Sequence, residues 1–285
     1  MPDTLLTAGQ CATFACLLEV TAPKPGNVHR GADFEDLTFF DFAASAVAIA
    51  PAMEAAAGKR LGKTVLDAIR ASRAVSGTNT NLGIVLLLTP MAMVAEGQAL
   101  RPGVLGVLEQ LDAADAELVY AAIRHAQPGG MGQVNEADIS GPAPPDLRQA
   151  MALAADRDLV ARQYVNGFAE VFDLVLPRLE QGLKAGWSLS DTIVRTHLQL
   201  MSERPDSLIA RKCGVETARR AAGLAARALA SGAPGDTAYY DAVAELDFWL
   251  RSDHHRRNPG TTADLITAGL FAALRDGVIR PPFKL

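Results

Sequence analysis

Alanine and leucine supply much of the apolar content of this chain, and that restricts its fold more than any motif does. Hydrophobic residues make up 49% of the 285 residues, whereas aromatics make up only 6%. Ala and Leu lose little on entering a helix, while sheets favour β-branched and aromatic side chains. The chain is also divided by proline and glycine into helix-length pieces. Apolar residues recur at helical spacing within about Thr4–Val20, Asp36–Ala57, Val65–Ala74, Ile84–Ala95 and Pro102–His125, then within about 147–164, 168–184, 189–201, 215–231, 236–252 and 262–276. Pro51 and Pro90 fall inside two of these pieces and are expected to kink or interrupt them. No repeat, low-complexity segment or linker divides the chain. The expectation is an all-α fold, a single multi-helix bundle domain of roughly ten helices spanning 1–285.

Charge and cysteine usage narrow the function. A net charge of -5 provides no field for gathering nucleic acid, so an anionic ligand needs a local basic pocket. Cys11, Cys16 and Cys213 are odd in number and lack paired metal spacing, which fits a reduced, cytoplasmic compartment. The N-terminus has no signal-like pattern and no run of eighteen uninterrupted apolar residues occurs, so no membrane partner is expected. Ala57–Thr64 fits a relaxed P-loop pattern, but a helical stretch precedes it where that motif needs a strand, so it reads as a loop between helices. His254-His255 supply only part of a metal shell.

Polar and charged residues concentrate in five loops, at 23–36, 76–81, 129–138, 203–212 and 254–264. The last is the most informative. Pro259-Gly260 signals a turn, Thr261 and Thr262 are candidate caps, and Asp264 falls in the first turn of the helix that follows. Free N–H groups at such an end suit a phosphate, and an acid one turn in suits its metal. The first loop gathers Lys24, Asn27, His29 and Arg30 between Glu19 and Asp33. Gln127–Pro145 is the longest irregular stretch, with Gly130, Gly132, Asn135 and Asp138.

Four stretches resemble, in order, the triphosphoribosyl-dephospho-CoA synthase family: Glu19 through Asn27, Phe42-x-x-Ser45-Ala46, Gly77-Thr78-Asn79-Thr80, and Arg257-Asn258-Pro259-Gly260-x-x-Ala263-Asp264-Leu265. The resemblance implies an all-helical enzyme that moves the triphosphoribosyl group of ATP to a dephospho-CoA-like acceptor and releases adenine. It implies small-molecule substrates, Mg²⁺ alongside ATP, no nucleic acid, and leaves a homo-oligomer open. Glu19, Asp36 and Asp264 become candidates for catalysis, the last two also for metal. Lys24, His29 and Arg211 become candidates for phosphate contact. Asn79, Asn81 and Asn258 would orient the sugar or base, with Asn27 beside them, and Thr261 and Thr262 would help cradle phosphate.

Two segments depart from the family's pattern. A His-Lys pair is replaced by Asn81-Leu82, and Gly-Ala-His-Lys-Asp is replaced by Gly31-Ala32-Asp33-Phe34-Glu35-Asp36. Losing both basic pairs implies a divergent branch with a different or less phosphorylated substrate. Two other readings therefore stand beside the transferase. One is a nucleotide- or phosphosugar-using enzyme of another cofactor pathway, such as that of a pterin one-carbon carrier. The other is a noncatalytic helical nucleotide-binding protein.

Overall fold

The computed structural model describes residues 6–129 and 136–284, and these hold fourteen α-helices and no strand. They are α1 (Ala8–Thr21), α2 (Phe39–Glu54), α3 (Leu61–Ser76), α4 (Leu82–Ala92), α5 (Leu100–Glu109), α6 (Ala113–Ala126), α7 (Leu147–Ala154), α8 (Leu159–Asn166), α9 (Leu176–Lys184), α10 (Leu189–Glu203), α11 (Ser207–Cys213), α12 (Val215–Ala230), α13 (Thr237–Arg251) and α14 (Gly260–Arg275). A 3₁₀ turn at Ala56–Gly58 precedes α3, and a π-helical stretch at Glu170–Val175 leads into α9. Thr4, Gly130, Gly132 and Asn135, named in the sequence reading, lie outside the described residues.

The all-α class holds, with fourteen helices where the periodicity suggested about ten. The extra count comes from caps and breaks that hydrophobic spacing does not register. Pro102–His125 is two helices, because the Asp112 side chain accepts the Asp115 N–H at 3.1 Å and starts α6 afresh. Residues 147–164 likewise divide into α7 and α8, where the Asp158 carboxylate caps the Val160 N–H at 2.8 Å. The polar cluster at 203–212, read as loop, contains the short helix α11, capped by Asp206.

Neither internal proline stops its helix early. Pro51 and Pro90 both sit near the last turn of α2 and α4. Pro90 has no N–H to give the Leu86 carbonyl, and the Tyr164 hydroxyl of α8 donates to that oxygen at 2.7 Å instead. Tyr164 is almost wholly buried, so this bond also satisfies its own hydroxyl.

α14 is the hub. Thirteen of its residues are buried, and it packs against α1, α4, α8, α9, α10, α11 and the π-helical stretch. One hydrophobic cluster runs from Cys11 on α1 to Ile279 beyond α14. A smaller one, Val20, Val28 and Phe34, lies under the loop between α1 and α2. The P-loop-like segment opens α3: the Gly62 N–H donates to the Asp115 carboxylate at 2.9 Å, and Arg60 pairs with Asp112. That donor is thus already engaged within the fold.

Gly62 also lets α3 and α6 approach closely, since a Cβ there would lie 2.6 Å from the Asp115 carbonyl oxygen and 2.7 Å from the Leu118 Cβ. Gly62→Ala should therefore destabilise the fold by about 1–3 kcal/mol through overpacking, despite alanine's better helix propensity. Urea unfolding midpoints check this: an unchanged or higher midpoint would show that the two helices separate freely.

Candidate active site

The start of α14 is held by a carboxylate from another helix. Asp206 is wholly buried and accepts four hydrogen bonds: from the Leu208 N–H at 2.8 Å, the Ile209 N–H at 2.9 Å, the Thr262 N–H at 2.7 Å and the Thr262 hydroxyl at 2.8 Å. It caps α11 and fastens the first turn of α14 to it. Burial pushes its pKa up, and these bonds oppose the shift. The expected caps are thereby corrected. Pro259 precedes the helix, Thr261 and Thr262 lie inside its first turn, and the Thr262 donors are already taken. Thr262 is fully buried and does not line the cavity described next.

A cavity of about 800 Å³ opens above this joint, and all five polar loops reach it. Glu19, Asn27, Asp36, Asn79, Asn81, Arg211, Asn258, Thr261 and Asp264 are on its wall. Asp264 lies at the fifth position of α14, one residue past the first turn where the sequence reading placed it. It is half-buried and has no hydrogen-bond or ion-pair partner among the described residues. Its carboxylate lies against Gly83 of α4, where a Cβ would fall 2.1 Å from Oδ2, so only glycine admits it. Burial raises the Asp264 pKa well above the carboxylate range, Glu19, Asp206 and Asp158 add to the push, and Arg211 opposes it.

Three asparagines present unpartnered amide atoms beside it. These are Asn27 Oδ1, Asn81 Nδ2 and Asn258 Oδ1. Asn81 is positioned by a buried hydroxyl network: Ser72 donates to Asn81 Oδ1 at 2.9 Å, and Thr80 donates to Ser45 at 2.7 Å. Asn79 Oδ1 accepts the Leu82 N–H at 3.1 Å and so caps α4. Buried amides without partners are uncommon in folded proteins, and all three residues line the cavity.

Lys24 and His29 stand apart from the wall. The Lys24 ammonium is wholly buried, paired with the Glu19 carboxylate at 2.9 Å and bonded to the Glu19 and Ala22 carbonyls. All three of its donors are used, so it supports Glu19 and has no donor left for phosphate. Burial lowers the Lys24 pKa and raises that of Glu19, each opposed by the partner's charge. The His29 Nδ1 accepts the Gly31 N–H at 3.2 Å in a tight turn outside the cavity.

Other wall residues were not singled out in the sequence, although Lys212 and Arg256 lie within two of the polar loops. Arg157, Lys212 and Arg256 join Arg211 at the cavity, giving it four basic side chains. Phe34 stacks on His255 with ring centroids 4.0 Å apart, and the Arg251 guanidinium lies over the Phe34 ring, 5.7 Å from its centroid. His254 and His255 both take left-handed backbone conformations, at φ 46° and 58°, which non-glycine residues adopt at a cost of about 1–3 kcal/mol each. Among the described residues no three His, Cys, Asp or Glu side chains gather closely enough for a dedicated metal cage.

Asp264 carries a stability consequence with a definite sign. Its folded pKa lies above its unfolded value, so the native state binds the extra proton, and stability falls as pH rises from about 4 toward the folded pKa. Asp264→Asn removes that loss. The variant should melt higher than the wild type at pH 7, and the gap should narrow as the pH is lowered to about 4. A gap independent of pH in calorimetric scans would dismiss the electrostatic origin.

Comparison with known proteins agrees with the motifs. The chain is similar over 82% of its length to 98% of a solved structure from Archaeoglobus fulgidus, provisionally assigned as a triphosphoribosyl-dephospho-CoA synthase, with 27% identity and a TM-score of 0.64. No curated protein matches. The family profile described as ATP:dephospho-CoA triphosphoribosyl transferase matches residues 6–281, nearly the whole sequence. This chain belongs to the ATP:dephospho-CoA triphosphoribosyl transferase family.

Proposed function

We propose that the cavity is where the triphosphoribosyl group of ATP passes to dephospho-CoA with release of adenine, residues 1–285 working as one domain. The family assignment gives the reaction. One observation supports placing it here: an unpartnered carboxylate, Asp264, shares a cavity with three unpartnered amides and four basic side chains. The pterin-pathway and noncatalytic readings are not favoured by the family match.

In this reaction a ribose 2′-hydroxyl of the acceptor attacks the anomeric carbon of the ATP ribose. The C–N bond to adenine breaks, adenine leaves with its bonding electron pair and takes up a proton, and the hydroxyl gives up its own. Positive charge develops on the sugar, and carboxylates facing it lower the barrier. Asp264 and Glu19 fill that role, with one of them accepting the hydroxyl proton. Arg211, Lys212, Arg157 and Arg256 bind the triphosphate through charge-assisted hydrogen bonds. They replace the charge lost with the two basic pairs, so a fully phosphorylated donor remains compatible with this chain. The three amides hold the ribose or base edge, where polar groups need partners.

Mg²⁺ fits the donor set. A nucleotide site binds this ion through one or two carboxylates plus phosphate oxygens rather than a protein cage. Asp264, crowded by other acids and lacking any donor, would supply one carboxylate, and Asp36 at the rim the other. When bound, the ion would neutralise triphosphate charge.

Adenine release from ATP should depend on dephospho-CoA, and the product mass should equal the two substrates less adenine. Asp264→Asn should lower kcat by about 10²–10⁴ while remaining folded and, as above, more heat-stable. Arg211→Ala should raise the KM for ATP. Wild-type turnover by Asp264→Asn would overturn the central role given to this residue.

A further inference from the structure

Asn27, whose amide Oδ1 has no partner, lines the cavity from a loop rather than from a helix. A loop side chain keeps one position only where other groups hold its backbone. Two residues of α13 supply that hold. The Asp247 carboxylate accepts the Gly26 N–H at 2.7 Å, and Arg251 donates from Nη2 to the Asn27 carbonyl. The two side chains are also bonded to each other, with Arg251 Nε donating to Asp247 Oδ1 at 2.8 Å and to Oδ2 at 3.0 Å. The Asn27 N–H donates to the Lys24 carbonyl at 3.2 Å, so both backbone groups of Asn27 are engaged. Contact with α13 is close here, since a Cβ on Gly26 would lie 2.8 Å from the Leu250 Cβ and 3.0 Å from the Pro259 Cδ. Neither Asp247 nor Arg251 lines the cavity.

We propose that Asp247 and Arg251 are positioning residues for the transfer, acting through Asn27, a reading that rests on the cavity being its site. The guanidinium is a planar fork whose Nε and Nη2 hydrogens point in fixed directions. Bonding Asp247 with one and the Asn27 carbonyl with the other sets the loop at one distance and one angle from α13. Their spacing of four residues places both side chains on the same face of the helix. An isolated surface ion pair contributes little. Here the carboxylate and the guanidinium each make a further bond, to consecutive residues of the loop. The same guanidinium lies over Phe34, another residue of the wall, so one cation steadies two points between α1 and α2. A shift of about 1 Å at a group that contacts substrate can cost about a hundredfold in rate. The pair therefore has leverage on a reaction that it does not touch.

Arg251→Lys keeps a cation near Phe34 but loses the fork. It should lower kcat/KM for adenine release by about tenfold to a hundredfold. Asn27→Ala removes the side chain being positioned and leaves the carbonyl that Arg251 holds, and it should lose at least as much. Because Arg251 acts through Asn27, the double variant should be no slower than Asn27→Ala alone. Losses that multiply, or wild-type kcat/KM for Arg251→Lys, would overturn the proposal. Amide hydrogen exchange gives a readout independent of turnover. Arg251→Lys should speed exchange at residues 26–34 and leave α14 unchanged. Unaltered exchange at 26–34 would overturn the proposal, and so would faster exchange in α14 as well, which marks general support of the fold. If the wild type releases no adenine with dephospho-CoA, the transfer reading fails instead; exchange still decides whether Arg251 holds the loop.

Discussion

Everything at the site hangs on the carboxylate of Asp206. A buried ionised carboxylate is costly unless its oxygens are saturated by donors. Here four donors meet that demand, two from the start of α11 and two from Thr262 on α14. The same four bonds fix the rotation of α14 about its axis, because Thr262 must face Asp206. Two residues further along that helix, Asp264 is then turned toward Gly83 and the cavity. A capping interaction inside the core therefore aims a carboxylate that it never touches.

The acids beneath the cavity and the bases beside it form an arrangement suited to a charged ligand. Glu19 is held by an ammonium that lies wholly within the protein, so its position is set by the loop that carries Lys24. Asp264 has no such support and is crowded by Glu19, Asp206 and Asp158. Its unrelieved position is unfavourable to the empty protein, and in the proposed reaction a cation or developing positive charge would relieve it. This is the usual relation between a strained site and a stable scaffold, where local cost is tolerated because binding or catalysis recovers it.

The sequence made the helical class legible because Ala and Leu spacing is strong over long stretches. It did not reveal the breaks at Asp112 and Asp158, since a cap is a contact between a side chain and a particular N–H rather than a change in hydropathy. α11 was hidden because seven residues with two bases at the end resemble a polar loop. The loop motifs identified the neighbourhood of the cavity, yet their members were not separable. Lys24 and Arg211 look alike as letters, but one is turned inward to Glu19 and the other lies on the wall. Arg157, Lys212 and Arg256 come together only through the packing of α7, α8, α11 and the loop after α13. The Phe34–His255 stack joins residues more than two hundred positions apart and has no local signature.

The two missing basic pairs look at first like a weakened phosphate site. On the proposed reaction that loss is offset, because charge recognition depends on where side chains converge and not on which loop donates them. Four basic groups border one cavity in a chain whose net charge is -5. At short range those groups dominate, since screening confines more distant charges to about 10 Å at ordinary ionic strength.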